Sequence, residues 1–387
     1  MDPSVSDIKM PSAKRRQDRP TVPEVRAQVP AEIRQRSLAL GLSWFAIAAG
    51  FYGVSFWGAL AAPWWPLQVV CAVFNGMCIS TLFVIGHDAC HGGLTAFGSL
   101  NRILGRLAFL PALTPYVTWQ YAHNRIHHSY TNLRPRDYAW APFSKAEYDR
   151  LPGWRRFLEH RYRSRSGIGM GLYYFLEYWL KHLIFLPAAE RQEMKRPRTY
   201  VLDLLLVAAF AALQVALVVI WANTATISSG MWTAFTSPAA LIAMVLVLPF
   251  ALWNWVMGFA IFQHHNHPRV AWFDKRQEWD FFAAQVENTT HIVMPWFLEF
   301  ITGHIMQHTA HHVDTKIPLY RLPDSQKCME KAYPGRVVVE PWTVKNFRMV
   351  LSCCRLYDYE NHRWLDFKGR QTTEPNPVLR AIKENVG

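Results

Sequence analysis

The sequence predicts an all-α integral membrane protein, with four transmembrane helices in two hairpins and a histidine-rich cytoplasmic cap. Three observations carry this expectation. Residues 37–86 and 204–263 contain no Asp, Glu, Lys or Arg, and each block is long enough for two spans of about 20 residues. All 16 histidines lie outside those blocks. So does every Lys and Arg, which lets charge report orientation.

Residues 1–36 form a basic segment with eight Lys/Arg, including Lys14-Arg15-Arg16, and are expected to be cytoplasmic and largely disordered. The polar prefix is too long for a secretory signal, and no cleavage pattern follows the apolar run. Residues 37–86 read as the first hairpin, Ser37 to Leu60 outward and Trp65 to Gly86 back. Its turn carries Pro63, Trp64, Trp65 and Pro66, and Trp pairs favour the lipid interface. Residues 87–203 read as a cytoplasmic and interfacial segment. Within it Leu100, Ile103, Leu104, Leu107 and Leu110 recur at helical spacing, with Arg102 and Arg106 on the other face. The stretch 170–187 is apolar and aromatic, with Glu177 and Lys181 spaced to pair along a helix.

Residues 204–263 read as the second hairpin, Leu204 to Trp221 and Ala239 to Phe262, joined by an uncharged connection. Residues 264–387 return to the cytoplasm, with a shallow insertion expected over 292–305. From Val313 onward a polar lobe of short elements is expected, punctuated by Pro318, Pro323, Pro334 and Pro341. The positive-inside rule puts both termini and the central segment on the cytoplasmic face, as in a bacterial inner membrane. The net charge of +13 then reads as a feature facing the membrane surface, not as a nucleic-acid footprint. The six cysteines, Cys71, Cys78, Cys90, Cys328, Cys353 and Cys354, show no metal-binding spacing and are expected to stay reduced.

Eight histidines fall in three short windows: His87 and His91; His123, His127 and His128; His308, His311 and His312. On a helix, His87 and His91 share a face, and so do the three of the last window. Neighbouring residues on a helix point about 100° apart, so an HH pair can serve two metals, or one metal and an outer role. Eight imidazoles exceed the needs of one four-coordinate zinc and suit two metals with open positions. Imidazole accepts iron, zinc, copper and nickel alike, so spacing does not name the metal. Asp88, Asp137 and Asp314 stand beside the windows as candidate partners for imidazole N–H groups. His160, His182 and His362 stand alone and read as ordinary surface or core residues.

These windows resemble the histidine boxes of the membrane fatty acid desaturases and their hydroxylase relatives, from about Phe83 to Leu322. The boxes stand here as FVIGHDACHGGL, WQYAHNRIHHSYTNLRPRDYAW and GHIMQHTAHHVDTKIPLYRL, with FQHHNHP after the fourth span. The resemblance, which is to bacterial acyl-lipid desaturases of the delta-12/omega-6 kind, implies two iron ions. The implied ligands are His87, His91, His123, His127, His128, His264, His308, His311 and His312, with no catalytic residue beyond them. His304 is a possible further ligand; His265 and His267 are expected to lie outside the ligand set. The resemblance also implies O2 as co-substrate, a fatty acyl lipid or thioester as substrate, and an external ferredoxin or cytochrome-type electron donor. One departure stands out. The second box is H-x3-HH where many desaturases have H-x2-HH, and the longer form also occurs in alkane hydroxylase relatives.

Other readings remain. An alkane, fatty acid or carotenoid hydroxylase or ketolase would use the same scaffold. A metal transporter would place histidines within the spans, which here hold none. A zinc-dependent lipid hydrolase would need about three protein ligands and leave most of the boxes idle.

Overall fold

The computed structural model describes residues 19–224, 235 and 237–376. Four helices are long and apolar enough to cross a membrane: Leu38–Ala61, Trp65–His91, Pro197–Thr224 and Pro238–His265. They are called here the first to fourth spans, and they make the chain a multi-pass membrane protein. The first span opens on Ser37, whose Oγ accepts the Leu40 N–H at 3.3 Å. The second opens with Pro66 in its first turn and ends at Gly92, which takes the left-handed conformation (φ 72°). The uncharged connection between the third and fourth spans lies largely outside the described residues.

Three of the four spans overrun the bounds expected from charge. The second continues past Gly86 through His91, which puts the first histidine box on its last turn. The third begins at Pro197 rather than Leu204 and so carries Asp203. That carboxylate is buried, and it is tolerated because it accepts Arg106 Nε and the Val117 N–H, both at 2.8 Å. The fourth span runs on to His265. A wide π-type turn over Ala243–Val247 precedes Pro249, which has no N–H to donate.

The second and fourth spans form the interior of the bundle, while the first and third expose most of their surface. Val54, Trp57, Leu205, Leu213 and Ile220 all face outward. Each such side chain would gain about 1.5–3 kcal/mol from leaving water, so the exposed belt is suited to lipid. Close contacts hold the interior. A Cβ on Gly258 in the fourth span would sit 2.2 Å from the backbone oxygen of Met170, so only glycine fits there.

Outside the spans, the helix Gly98–Phe109 buries Leu104, Ala108 and Phe109 and exposes Ile103 and Leu107, as an interfacial helix does. The expected Glu177–Lys181 pair does not form. Glu177 instead binds Arg155 and accepts from Tyr162 Oη at 3.1 Å, because the backbone over Tyr174–Ile184 is a π-helix and its residues do not follow α-helical spacing. Over 292–305 a short helix, Trp296–Ile301, exposes Trp296, Phe297 and Phe300.

The cap is a mosaic of short elements. Strand Thr290–Val293 pairs in parallel with Val338–Pro341, and Leu356–Asp358 forms a hairpin with Arg363–Leu365. Arg163 is fully buried and donates to Trp140 O at 3.0 Å and Cys354 O at 3.1 Å. Residues 19–36 are not disordered as expected. Helix Val22–Ala27 buries Val25 against the core that holds Val313 and Ile317, and Arg26 Nε donates to Val313 O at 2.9 Å. Arg19 pairs with Asp280 and Glu287. A basic, Pro-containing segment reads as disordered from composition, and these long-range partners are not visible in it.

Candidate metal centre

The histidines converge at one end of the bundle, and they sort into two groups. His87, His91, His123, His128 and His311 form one, with ligand atoms all within 4.8 Å of one another. His127, His265, His308 and His312 form the other, within the same limit. Each element delivers its share for a local reason. His87 and His91 are one helical turn apart on the second span and stay together. In the helix His308–Val313, His308 and His312 join one group, and His311 points to the other.

The second box depends on a change of helix type. Gln120–His127 is a π-helix, and the His128 N–H donates to His123 O at 3.0 Å. In an α-helix the fifth residue along points well away from the first; a turn closed i to i+5 brings it back to the same side. His123 Nε2 and His128 Nε2 are therefore 3.0 Å apart, and His127 is released to the other group. The extra residue of H-x3-HH is absorbed in this wide turn.

Within the groups, nitrogens approach as ligands of one ion do. His87 Nε2 lies 2.7 Å from His123 Nε2, His128 Nε2 lies 3.1 Å from His311 Nε2, and His265 Nε2 lies 2.9 Å from His308 Nε2. Ligands bound at about 2.1 Å and set at right angles would be roughly 3 Å apart. His91 Nε2 and His312 Nε2 are buried with no partner among the described residues. Burial, then the charge that neighbouring histidines would carry, holds His123, His128, His308, His311 and His312 well below the usual imidazole pKa. They are neutral at pH 7, the form that binds metal. The residues therefore fit two metal ions.

Comparison with known proteins agrees. Residues 63–342 match the family described as Fatty acid desaturase. The chain belongs to the fatty acid desaturase family. As a member it is an oxidoreductase, and its two histidine groups are consistent with the family's di-iron centre. It is 26% identical over 335 residues to an omega-6 fatty acid desaturase, chloroplastic, of Spinacia oleracea, covering 86% of this chain and 68% of the relative. It is 27% identical over 310 residues to an sn-1 oleoyl-lipid 12-desaturase of a Picosynechococcus species, covering 80% and 82%. A protein of the same description from Arthrospira platensis is 29% identical over 273 residues, 70% of each.

Outer partners hold the imidazoles of the two groups unevenly in this family member. His127 Nδ1 donates to Asp137 Oδ2 at 3.0 Å, and that oxygen also accepts the Asn132 N–H at 2.9 Å. His265 Nδ1 lies 3.1 Å from Asn132 Oδ1, and His312 Nδ1 lies 2.6 Å from Gln285 Oε1. Gln285 also donates to His128 O at 2.9 Å. Asn132 and Gln285 carry no signal in the histidine spacing. Asn132 sits in the TN after the second box, which was the one available hint.

Several sequence expectations change. His264 lies outside both groups: its ring stacks on His308 with centroids 3.6 Å apart, and its Nε2 faces Met306 Sδ at 3.3 Å. His265 takes the place expected for it, because the fourth span stays helical to its end and turns the later residue inward. His304 also lies outside both groups, against Trp44 and Phe300, since Gly303 and His304 both adopt positive φ and break the helical spacing to His308. Asp88 spends one oxygen on the Leu319 N–H at 2.6 Å, and the other is 3.9 Å from His87 Nδ1, too far to bond. Asp314 is half-buried and accepts the Lys316 N–H at 3.1 Å, away from the imidazoles. His182 and His362 pair with Glu190 and Glu278 at 3.0 Å, outside the centre, and His160 packs on Phe367.

An aromatic wall closes one side of the five-histidine group. Trp119 stacks on His123 with centroids 4.7 Å apart, Phe83 meets Trp119 edge-on at 4.6 Å, and Trp253 lies 5.4 Å from Phe83. These three rings are buried in one packed apolar cluster, which keeps water from that side of the group.

Proposed function

We propose that this protein is an oxygen-dependent di-iron desaturase that places a double bond in a fatty acyl chain of a membrane lipid. The observation that carries the reading is the pair of adjacent, buried, all-imidazole groups. His87, His91, His123, His128 and His311 would hold one iron, and His127, His265, His308 and His312 the other. Nine imidazoles over two ions leave positions open for oxygen. Bound iron supplies oxygen activation and removal of hydrogen from an unactivated methylene.

The chain's own residues do the rest. Asp137, Asn132 and Gln285 fix ring orientation and tautomer at the four-histidine group. The wall of Trp119, Phe83 and Trp253 keeps water from the reacting carbons and gives the acyl chain an apolar surface. In the overall reaction one O2 becomes two waters. Two of the hydrogens come from adjacent carbons of the chain, and two electrons and two protons come from outside. A ferredoxin or cytochrome-type carrier supplies the electrons. The named relatives act as omega-6 or oleoyl-lipid 12-desaturases, and we assign this chain the same type of bond, a second one near the chain middle. The histidine end faces the cytoplasm of a bacterial inner membrane, by the Lys/Arg distribution.

The test is the lipid profile of a host expressing the protein. A new diunsaturated acyl chain is expected, absent with His308→Ala, which should still insert into the membrane. Hydroxylated or keto products without a new double bond would assign the chain to the hydroxylase branch instead.

A further inference from the structure

The two groups differ in access. All four histidines of one are buried, while His91 and His128 of the other are only half-buried. The short path for an electron from outside therefore ends at the five-histidine group, where the second span stops.

That helix end is ringed by cations. Arg36 donates to Gly92 O at 2.9 Å, one residue from His91. Asn124 donates to Cys90 O at 3.0 Å, and Arg125 follows it in the chain with its side chain exposed. Arg196 donates to Gln120 Oε1 at 3.0 Å. The Lys316 carbonyl lies 3.5 Å from where a Gly93 Cβ would stand. Gln120, Asn124, Arg125 and Arg196 share the lining of a hollow of about 280 Å³. The acidic groups nearby are Asp314, Glu190 and Glu193; Glu190 is paired with His182 at 3.0 Å, and Glu193 lies 3.8 Å from Arg125 and 3.3 Å from Arg136. Arg36, Arg196 and Lys316 have no ion-pair partner among the described residues.

The ring also lies beyond the charge-free stretches of the spans. Roughly 10 Å of helix separates Pro197 from the charge-free stretch that begins at Leu204, and the second span rises roughly 7 Å beyond Gly86 to reach His91.

We infer that the basic rim formed by Arg36, Arg125, Arg196 and Lys316 is the docking surface for a small acidic one-electron carrier, which delivers electrons at the His91 and His128 edge. The inference rests on the proposed iron reaction. Each docking would oxidise the carrier by one electron and deliver that electron to the histidine centre, so two dockings would serve each double bond.

The test uses full-length, iron-loaded protein in neutral-lipid nanodiscs, with a reduced acidic [2Fe–2S] ferredoxin as probe and dithionite as a small reductant. The paired change Arg125→Glu with Arg196→Glu should slow reduction by ferredoxin about tenfold or more at low salt, and the deficit should shrink as salt rises. Dithionite is itself anionic, so the two proteins are compared with it at high salt, where it should reduce both equally fast. Glu193→Gln, which unmasks Arg125 and Arg136, should speed the ferredoxin reaction. An unchanged ferredoxin rate, or an equal slowing with dithionite, would overturn the inference. So would a deficit that tracks the anionic-lipid content of the discs, which would make the rim a headgroup site. Wild-type iron that is reduced normally but yields no double bond would defeat the functional reading and leave the docking result standing.

Discussion

The two histidine groups are neighbours built to different plans. The five-histidine group has more ligands and less support: His87, His128 and His311 have Nδ1 atoms with no partner among the described residues. The four-histidine group has fewer ligands but three tethers, from Asp137, Asn132 and Gln285. One group is marked by its number of imidazoles and the other by its side-chain hydrogen bonds, with His308 the member there whose Nδ1 lacks a partner among the described residues. The better-tethered group is the more buried one, and the larger group has its half-buried members, His91 and His128, at the edge.

Substitutions can break this contrast. The largest effect belongs to His265→Ala, which takes one of only four ligands. Iron content should fall from two to about one per chain, and turnover should drop by more than the roughly 100-fold that loss of an outer partner costs. His264→Ala should keep both irons; metal analysis of the two variants side by side checks this. Next is His91→Ala, which leaves four imidazoles at its group. Two irons should still load when iron is in excess, but dialysis should strip one of them faster than in the wild type.

Asp137→Ala should cost about 10–100-fold in activity or iron affinity, with Gln285→Leu in the same direction, while Asp88→Asn should leave iron affinity unchanged. Equal losses from Asp137 and Asp88 would erase the distinction between tethered and untethered groups. The smallest effect on chemistry comes from Gly258→Ala. Its Cβ meets the Met170 carbonyl and should destabilise the bundle by about 1–3 kcal/mol, read as a lower Tm in detergent with iron content retained.

Much of this was legible in the chain. Charge-free blocks gave four spans and both hairpins, because lipid tolerates few charges and the sequence obeys that rule over long windows. The splitting of the HH pairs in the second and third boxes between two groups was one of two outcomes that helical geometry allowed. Residues at element ends were not legible. Asp203 marked the start of the third span in the sequence, but a buried ion pair with Arg106 lets the helix begin seven residues earlier. The choice between His264 and His265 turns on the phase of one helix end, which a HH run does not reveal. The extra residue in the second box looked like a departure from the desaturase pattern; a π-helix over Gln120–His127 makes it fit. Asn132 and Gln285 act through hydrogen bonds between distant segments, and no local pattern announces such pairs.

The most direct test of two unlike iron positions is a Mössbauer spectrum of protein loaded with isotopically enriched iron. Two quadrupole doublets of equal area are expected, with one lost in His265→Ala. A single doublet at one iron per chain, or a fully loaded protein that holds only zinc, would contradict the account.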